Sequence, residues 1–107
     1  MLKNFRRLTL PNLDFTLVNQ TNVPLHSLHV APSQSTEWDE DLFEDGTVLG
    51  HGESVNITFS PANTATSWDL RIADSEGNYL YWTGIQLDQV SQVTLFYNDG
   101  VGTAQFA

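Results

Sequence analysis

Hydrophobic and polar residues alternate along most of this chain with a period of two. The alternation is clearest in four segments, at residues 13–19, 53–59, 67–73 and 92–98. Weaker extended stretches occur at residues 25–31, 78–82 and 100–107, between turns rich in Asn, Asp and Gly. Successive side chains of a β-strand point to opposite faces, so the alternation predicts strands that each bury one face.

The spacing of these strands predicts an all-β fold, an antiparallel β-sandwich that is immunoglobulin-like or a related small barrel, with roughly seven or eight strands. No segment has sustained helical periodicity, and residues 37–43 could form at most one short helical turn. The inward positions give the predicted core, which consists of Phe15, Leu17, Leu28, Val30, Val55, Ile57, Phe59, Trp68, Leu70, Ile72, Val93 and Leu95.

The chain has 107 residues, a length typical of one domain. Three of its four basic residues, Lys3, Arg6 and Arg7, precede the first predicted strand. We therefore expect a flexible basic leader at residues 1–12 and a single β-sandwich domain at residues 13–107.

The charge of the chain restricts its partners. Thirteen acidic residues face four basic residues, which gives a net charge of −9 at pH 7, and Arg71 is the only base after the leader. A surface this negative repels phosphate backbones and anionic lipid, which disfavours nucleic acid and membranes as partners. A basic protein surface or a divalent cation is a better complement.

The composition also excludes some classes of site. Cysteine is absent, which removes disulfide bonds and thiolate metal sites. No apolar run is long enough for a signal peptide or a membrane-spanning helix. The sequence predicts a soluble protein without membrane insertion, and it leaves the compartment and the oligomeric state open.

Residues 37–45 form an acidic segment, with six Asp or Glu residues among nine. Calcium is bound by six to eight oxygen ligands, most of them from carboxylates and carbonyls. Asp39, Asp41 and Asp45 are the candidate ligands for a weak Ca²⁺ site. The spacing differs from that of an EF-hand, and runs of acids are usually solvated. A solvated loop or helical turn anchored by Trp38, Leu42 and Phe43 is therefore the alternative.

The candidate binding residues are Tyr79, Tyr81, Trp82 and Arg71. In the predicted hairpin Tyr79 and Tyr81 share one face and Trp82 lies on the other, so burying one face leaves rings exposed on the opposite one. Exposed rings can form a binding hot spot, although cross-strand pairing also explains them. Arg71 lies beside Asp69 on an outward face and either pairs with it or anchors a partner's carboxylate.

Known catalytic patterns are missing. The chain has no G-x-S-x-G elbow, no S-x-x-K pair and no glycine-rich phosphate loop, and nothing singles out two carboxylates for hydrolysis. The sequence therefore predicts a non-catalytic binding or interaction module with an acidic surface and no cofactor other than Ca²⁺. A small carboxylate-based hydrolase is the remaining alternative. The sequence Asn19-Gln-Thr21 also matches a glycosylation sequon, a match that is frequent by chance.

An ordered set of short motifs resembles a family of small, mostly uncharacterised bacterial β-domains. The motifs are Asn19-Gln-Thr21, Leu28-His-Val30-Ala-Pro32-Ser33, Trp38-Asp-Glu-Asp41-Leu42, Gly52-Glu-Ser54, Trp68-Asp-Leu-Arg71 and Trp82-Thr-Gly84-Ile-Gln-Leu87. They extend over most of the predicted domain. The resemblance implies the β-sandwich fold and no activity.

Overall fold

The computed structural model describes residues 12–35, 37–61 and 65–107. The predicted leader, apart from its last residue, lies outside these ranges. Within them the protein is all-β, as predicted, with no helix and therefore none able to cross a membrane. The seven strands are β1 (Phe15–Gln20), β2 (Ser27–Pro32), β3 (Ser54–Ile57), β4 (Trp68–Ala73), β5 (Tyr79–Ile85), β6 (Gln92–Asn98) and β7 (Val101–Phe106).

The strands form two sheets, with the orders β3-β1-β6-β7 and β2-β4-β5. Four of the five neighbouring pairs are antiparallel, but β1 and β6 are parallel. The prediction of a wholly antiparallel fold is therefore wrong at this pair. Parallel strands need a long crossover, and here the chain passes through the whole second sheet between them. A half-buried strand shows the same alternation of hydrophobic and polar residues whether its neighbour is parallel or antiparallel. The sequence pattern therefore could not distinguish the two kinds of pairing.

The inward faces of both sheets contribute to one hydrophobic cluster. Eleven of the twelve predicted core residues are buried, and Val55 on the edge strand β3 is only partly buried. Phe59 packs edge-to-face on Trp68 with ring centroids 5.1 Å apart. The prediction missed eight further buried hydrophobic residues, most of them near turns or in β5, namely Leu13, Leu25, Ala31, Phe43, Leu49, Trp82, Ile85 and Leu87.

Asn19 ties the end of β1 to two neighbouring loops. Its side chain is fully buried, and Nδ2 donates to the carbonyls of Val23 at 2.8 Å and Leu49 at 2.9 Å. Its Oδ1 accepts hydrogen bonds from the amide and the hydroxyl of Thr21. The four bonds use the full capacity of the amide, which makes a buried polar group stabilising rather than costly. The Asn19-Gln-Thr21 motif therefore has a structural role here.

The acidic segment covers the outer edge of β2 and does not form the helical turn considered for residues 37–43. The Leu28 amide donates to Asp41 Oδ1 at 2.9 Å, and the Leu42 amide donates to the Leu28 carbonyl at 2.8 Å. Asp41 Oδ1 also accepts a bond from the Phe43 amide. An exposed sheet edge has unpaired backbone groups, and pairing these groups favours an extended segment over a helical turn.

Candidate functional site

Arg71 lies at the centre of the outer face of the three-stranded sheet. Trp68, Leu70 and Ile72 of β4 point into the core, so the alternate residue Arg71 points outward. Its neighbours across the strands are His29 on β2 and Tyr81 on β5. A central strand thus presents the only base of the predicted domain on a solvent-facing surface.

The Arg71 guanidinium lies over two aromatic rings. Its Cζ is 4.3 Å from the ring centroid of Tyr79 and 5.0 Å from that of Trp38. Both distances fall within the range of cation–π attraction. The Nε atom is buried and has no hydrogen-bond partner in the described part of the chain. Stacking on the two rings therefore holds the guanidinium, and its Nε–H group makes no hydrogen bond to the described residues.

The rings around Arg71 also contact one another. Tyr81 lies 6.1 Å from Trp38 and 6.4 Å from Tyr79, measured between ring centroids, in tilted geometries. Tyr79 is 49% exposed and Tyr81 is 53% exposed. We call Trp38, Arg71, Tyr79 and Tyr81 the Arg71 cluster. It is an ordered aromatic surface that remains half open to solvent.

Trp82, predicted as a further binding residue, lies on the other face of β5. It is only 4% exposed, and its Nε1 donates to the Thr103 carbonyl of β7 at 2.9 Å. Its ring also lies against Gly102, where a Cβ atom would come within 2.9 Å of Cε2. Trp82 therefore belongs to the core between the two sheets and cannot contribute an exposed ring.

The expected pairing of Asp69 with Arg71 is replaced by other contacts. Asp69 Oδ1 accepts hydrogen bonds from Ser33 Oγ at 2.7 Å and from the Gly84 amide at 3.0 Å. Gly84 has a positive φ of 72° where the β4–β5 register shifts. Asp69 thus fixes an irregularity of the sheet, because backbone groups at a bulge need partners outside the ladder.

Acidic residues flank the cluster on two sides. On one side His29 Nδ1 lies 2.6 Å from the Asp39 carbonyl, which holds the acidic segment and Trp38 near the sheet. On the other side Asp74 begins the hairpin turn that leads to Tyr79. Amide donation from Asn78, and to a lesser degree from Glu76, lowers the pKa of Asp74 from its usual value. This carboxylate therefore stays ionised to lower pH.

The structure does not bring Asp39, Asp41 and Asp45 together as a metal site. In the three described ranges no group of three or more His, Cys, Asp or Glu side chains is arranged to hold a metal ion. Asp41 Oδ1 is taken up by the amides of Leu28 and Phe43. Asp41 therefore has a structural role in this segment, because its carboxylate accepts hydrogen bonds from two backbone amides.

Trp38 is the one member of the cluster that the sequence did not assign to binding. It was expected only to anchor a solvated loop, and it does help to hold that segment. Its contact with Arg71 joins a loop to a strand far away in the sequence, and no periodicity connects them. Only the path of the acidic segment along β2 brings the indole to the guanidinium.

Comparison with known proteins finds similarity in the fold. No protein-family model matches the chain, and no curated protein matches it. The chain is similar to the NMR structure of a protein from Eubacterium rectale, with a TM-score of 0.53 and 14% sequence identity. The match covers 89% of this chain and 87% of the other. At this identity the likeness shows a shared fold and transfers no function.

Proposed function

We propose that this protein is a non-catalytic binding module that uses the Arg71 cluster to engage a basic protein surface. The observation that carries the proposal is the pair of half-exposed tyrosines packed around a stacked arginine. Trp, Tyr and Arg are the residue types most enriched in interface hot spots, and all three types meet here. Such rings give a partner a large contact area at a low entropic cost.

The charge around the cluster supports a basic partner. The exposed acids Glu37, Asp39 and Glu40 lie beside Trp38 in the sequence, and Asp74 and Glu76 precede Tyr79. Acids at the rim of an interface attract a positively charged surface and accelerate its association. The guanidinium at the centre offers a complementary contact for one carboxylate or carbonyl of that partner. The partner therefore combines a basic surface with a central acceptor group.

We also propose that the fold is a β-sandwich, immunoglobulin-like or a related small barrel, and that the chain belongs to the bacterial β-domain family that the motifs resemble. Two sheets that share one core support the first point. The second is supported by structural roles for motif residues, including the Asn19 network and the hydrogen bonds of Asp41 to backbone amides. The parallel β1–β6 pair distinguishes this arrangement from a purely antiparallel sandwich.

A selection from a random peptide display library tests the proposed function. Peptides selected on the wild-type protein are expected to be rich in Lys and Arg and to bind less tightly at high salt. Tyr81→Ser is expected to weaken their binding by about tenfold or more. Val48→Ser is the matched control, because Val48 is a hydrophobic residue of similar exposure (46%) in a loop outside the Arg71 cluster.

Two results would contradict the proposal. One is a set of selected peptides that is neutral or acidic and whose binding is insensitive to salt. The other is equal loss of binding in Tyr81→Ser and Val48→Ser, which would show that exposed hydrophobic area alone governs binding. Melting temperatures of both variants show whether the fold is intact.

A further inference from the structure

Among residues 12–35, 37–61 and 65–107 the two sheets have four edge strands, and they differ in how they are covered. The acidic segment covers the edge of β2, and the Leu25–Leu49 bridge lies just before this strand. The strand β3 has only four residues, and β5 faces β7 across the gap between the sheets, where Trp82 bonds to Thr103. The strand β7 has six residues without charge, proline or bulge. Such an edge is a ready template for another strand.

The hydrogen bonds of β6 and β7 show which backbone groups lie on this edge. Gln92 and Ala107 exchange two bonds, each of 3.1 Å, so they form a closely hydrogen-bonded antiparallel pair. These pairs alternate along a ladder, so residues 101, 103 and 105 also direct their backbone groups toward β6. The amides and carbonyls of Gly102, Ala104 and Phe106 therefore point away from β6, toward the open edge.

The side chains of these same residues face a groove between the sheets. Phe106 and Ala104 lie opposite the buried Val93 and Leu95, so they share the inner face. The groove between β5 and β7 has a volume of about 380 Å³ and includes Trp82 in its wall. Phe106 is 49% exposed at its rim. An inward-facing phenyl ring thus remains half uncovered beside an open strand edge.

We propose that this edge pairs with the β7 strand of a second copy of the chain. Antiparallel pairing about a two-fold axis at Ala104 places Phe106 of each copy opposite Gly102 of the other. All three outward-pointing residues then form closely hydrogen-bonded pairs, and the two four-stranded sheets become one continuous sheet. Gly102 has no side chain, so the phenyl ring of the other copy lies opposite a small residue on the inner face, beside the groove that includes Trp82 in its wall.

The absence of charge on β7 makes this edge suitable for contact with a second copy. Each copy has a net charge of −9, so two copies repel each other over most of their surfaces. The strand β7 has no charged residue, so pairing there sets no like charges opposite one another. An interface of one strand and one ring per copy is small, and we expect a weak dimer that salt strengthens by screening the repulsion. Salt acts in the opposite direction on the basic partner at the Arg71 cluster, which separates the two proposals.

Sedimentation velocity of the full chain, from micromolar to about 1 mM and at low and high salt, tests this inference. Wild-type protein is expected to dimerise, more tightly at high salt. Ala104→Pro removes an amide that points away from β6, so the β6–β7 ladder is kept while dimerisation weakens by about tenfold or more. Phe106→Lys is expected to weaken it similarly, whereas Val48→Lys, with the same change in charge, is not.

The proposal is overturned if the wild-type protein is monomeric at about 1 mM at both salt concentrations. A dimer that is weakened equally by Phe106→Lys and Val48→Lys also overturns it, because charge rather than β7 would then control association. Amide hydrogen exchange provides a readout that does not need a variant. Protection at residues 102, 104 and 106 is expected to rise with protein concentration, and constant protection in a dimeric sample contradicts pairing at β7.

Discussion

The two faces of β4 differ sharply in their surroundings. On the inner face Trp68, Leu70 and Ile72 are almost completely buried between the sheets. On the outer face Asp69 accepts hydrogen bonds from the Ser33 hydroxyl and the Gly84 amide, and Arg71 stacks on aromatic rings open to solvent. Along β4, inward-facing residues therefore stabilise the core, and the outward-facing Arg71 between them belongs to the candidate site. Substitutions on the two faces should have separable effects on stability and binding.

The inner face should give the largest loss of stability. Leu70 is fully buried at the centre of the core, so Leu70→Ala removes buried hydrocarbon and leaves a cavity. The free energy of unfolding is expected to fall by about 3 kcal/mol, measured by urea denaturation. The folded fraction should still bind a selected basic peptide with unchanged affinity. A loss of stability below about 1 kcal/mol would show that the inner face is not the packed core described above.

The junction of the two sheets should give the next largest effect. A Cβ atom at Gly102 would lie 2.9 Å from Cε2 of Trp82, so Gly102→Ala forces the ring or the strand to move. We expect a loss of about 1–3 kcal/mol, because overpacking a core costs this much. In a Trp82→Phe background, the same substitution should cost clearly less, since the smaller ring removes the clash. Equal costs in the two backgrounds would contradict a direct contact.

The acidic segment allows a test of its structural role against calcium binding. Asp41→Ala leaves the amides of Leu28 and Phe43 without their acceptor, so stability should fall by about 1–2 kcal/mol. Asp45→Ala, an exposed control in the same segment, should change stability by less than about 0.5 kcal/mol. Both differences should be the same in EDTA and in millimolar Ca²⁺. A calcium-specific rise in the melting temperature that requires Asp39, Asp41 and Asp45 would instead support a metal site.

The smallest effect concerns the hairpin turn next to the cluster. Because the pKa of Asp74 is lowered in the folded state, the folded protein binds this proton less tightly than the unfolded chain. The resulting stabilisation is complete above the ordinary pKa of 3.8 and is lost as pH falls through the lowered pKa. Asp74→Asn keeps an oxygen acceptor without titrating.

Unfolding free energies of wild type and Asp74→Asn, measured against pH, are therefore expected to converge as the solution becomes more acidic. Asp88→Asn provides the same change in charge away from this turn. A difference between wild type and Asp74→Asn that is constant from neutral to acidic pH would contradict a lowered pKa. The amide bonds from Asn78 and Glu76 would then not favour the ionised carboxylate.

Local patterns in the sequence were enough to predict the strands and most of the core. Alternation places Leu70 inside and Arg71 outside without any knowledge of the partner strands. The parallel pairing of β1 with β6 was not predictable, because it depends on how distant strands meet. The roles of Trp38 and Asp41 were missed for the same reason. Each depends on the acidic segment lying along β2, and that position is a tertiary contact rather than a periodic signal.

The most direct test of the central claim is a titration of a selected basic peptide into isotopically labelled protein, followed by NMR. The account predicts chemical-shift changes at the Trp38 indole and at the backbone of Arg71, Tyr79 and Tyr81, with little change in β1 and β6. Arg71→Gln should weaken binding by about tenfold and lower stability by no more than about 1 kcal/mol. Shift changes centred on another surface, or unchanged affinity in a folded Arg71→Gln protein, would contradict the claim that this face is the binding site.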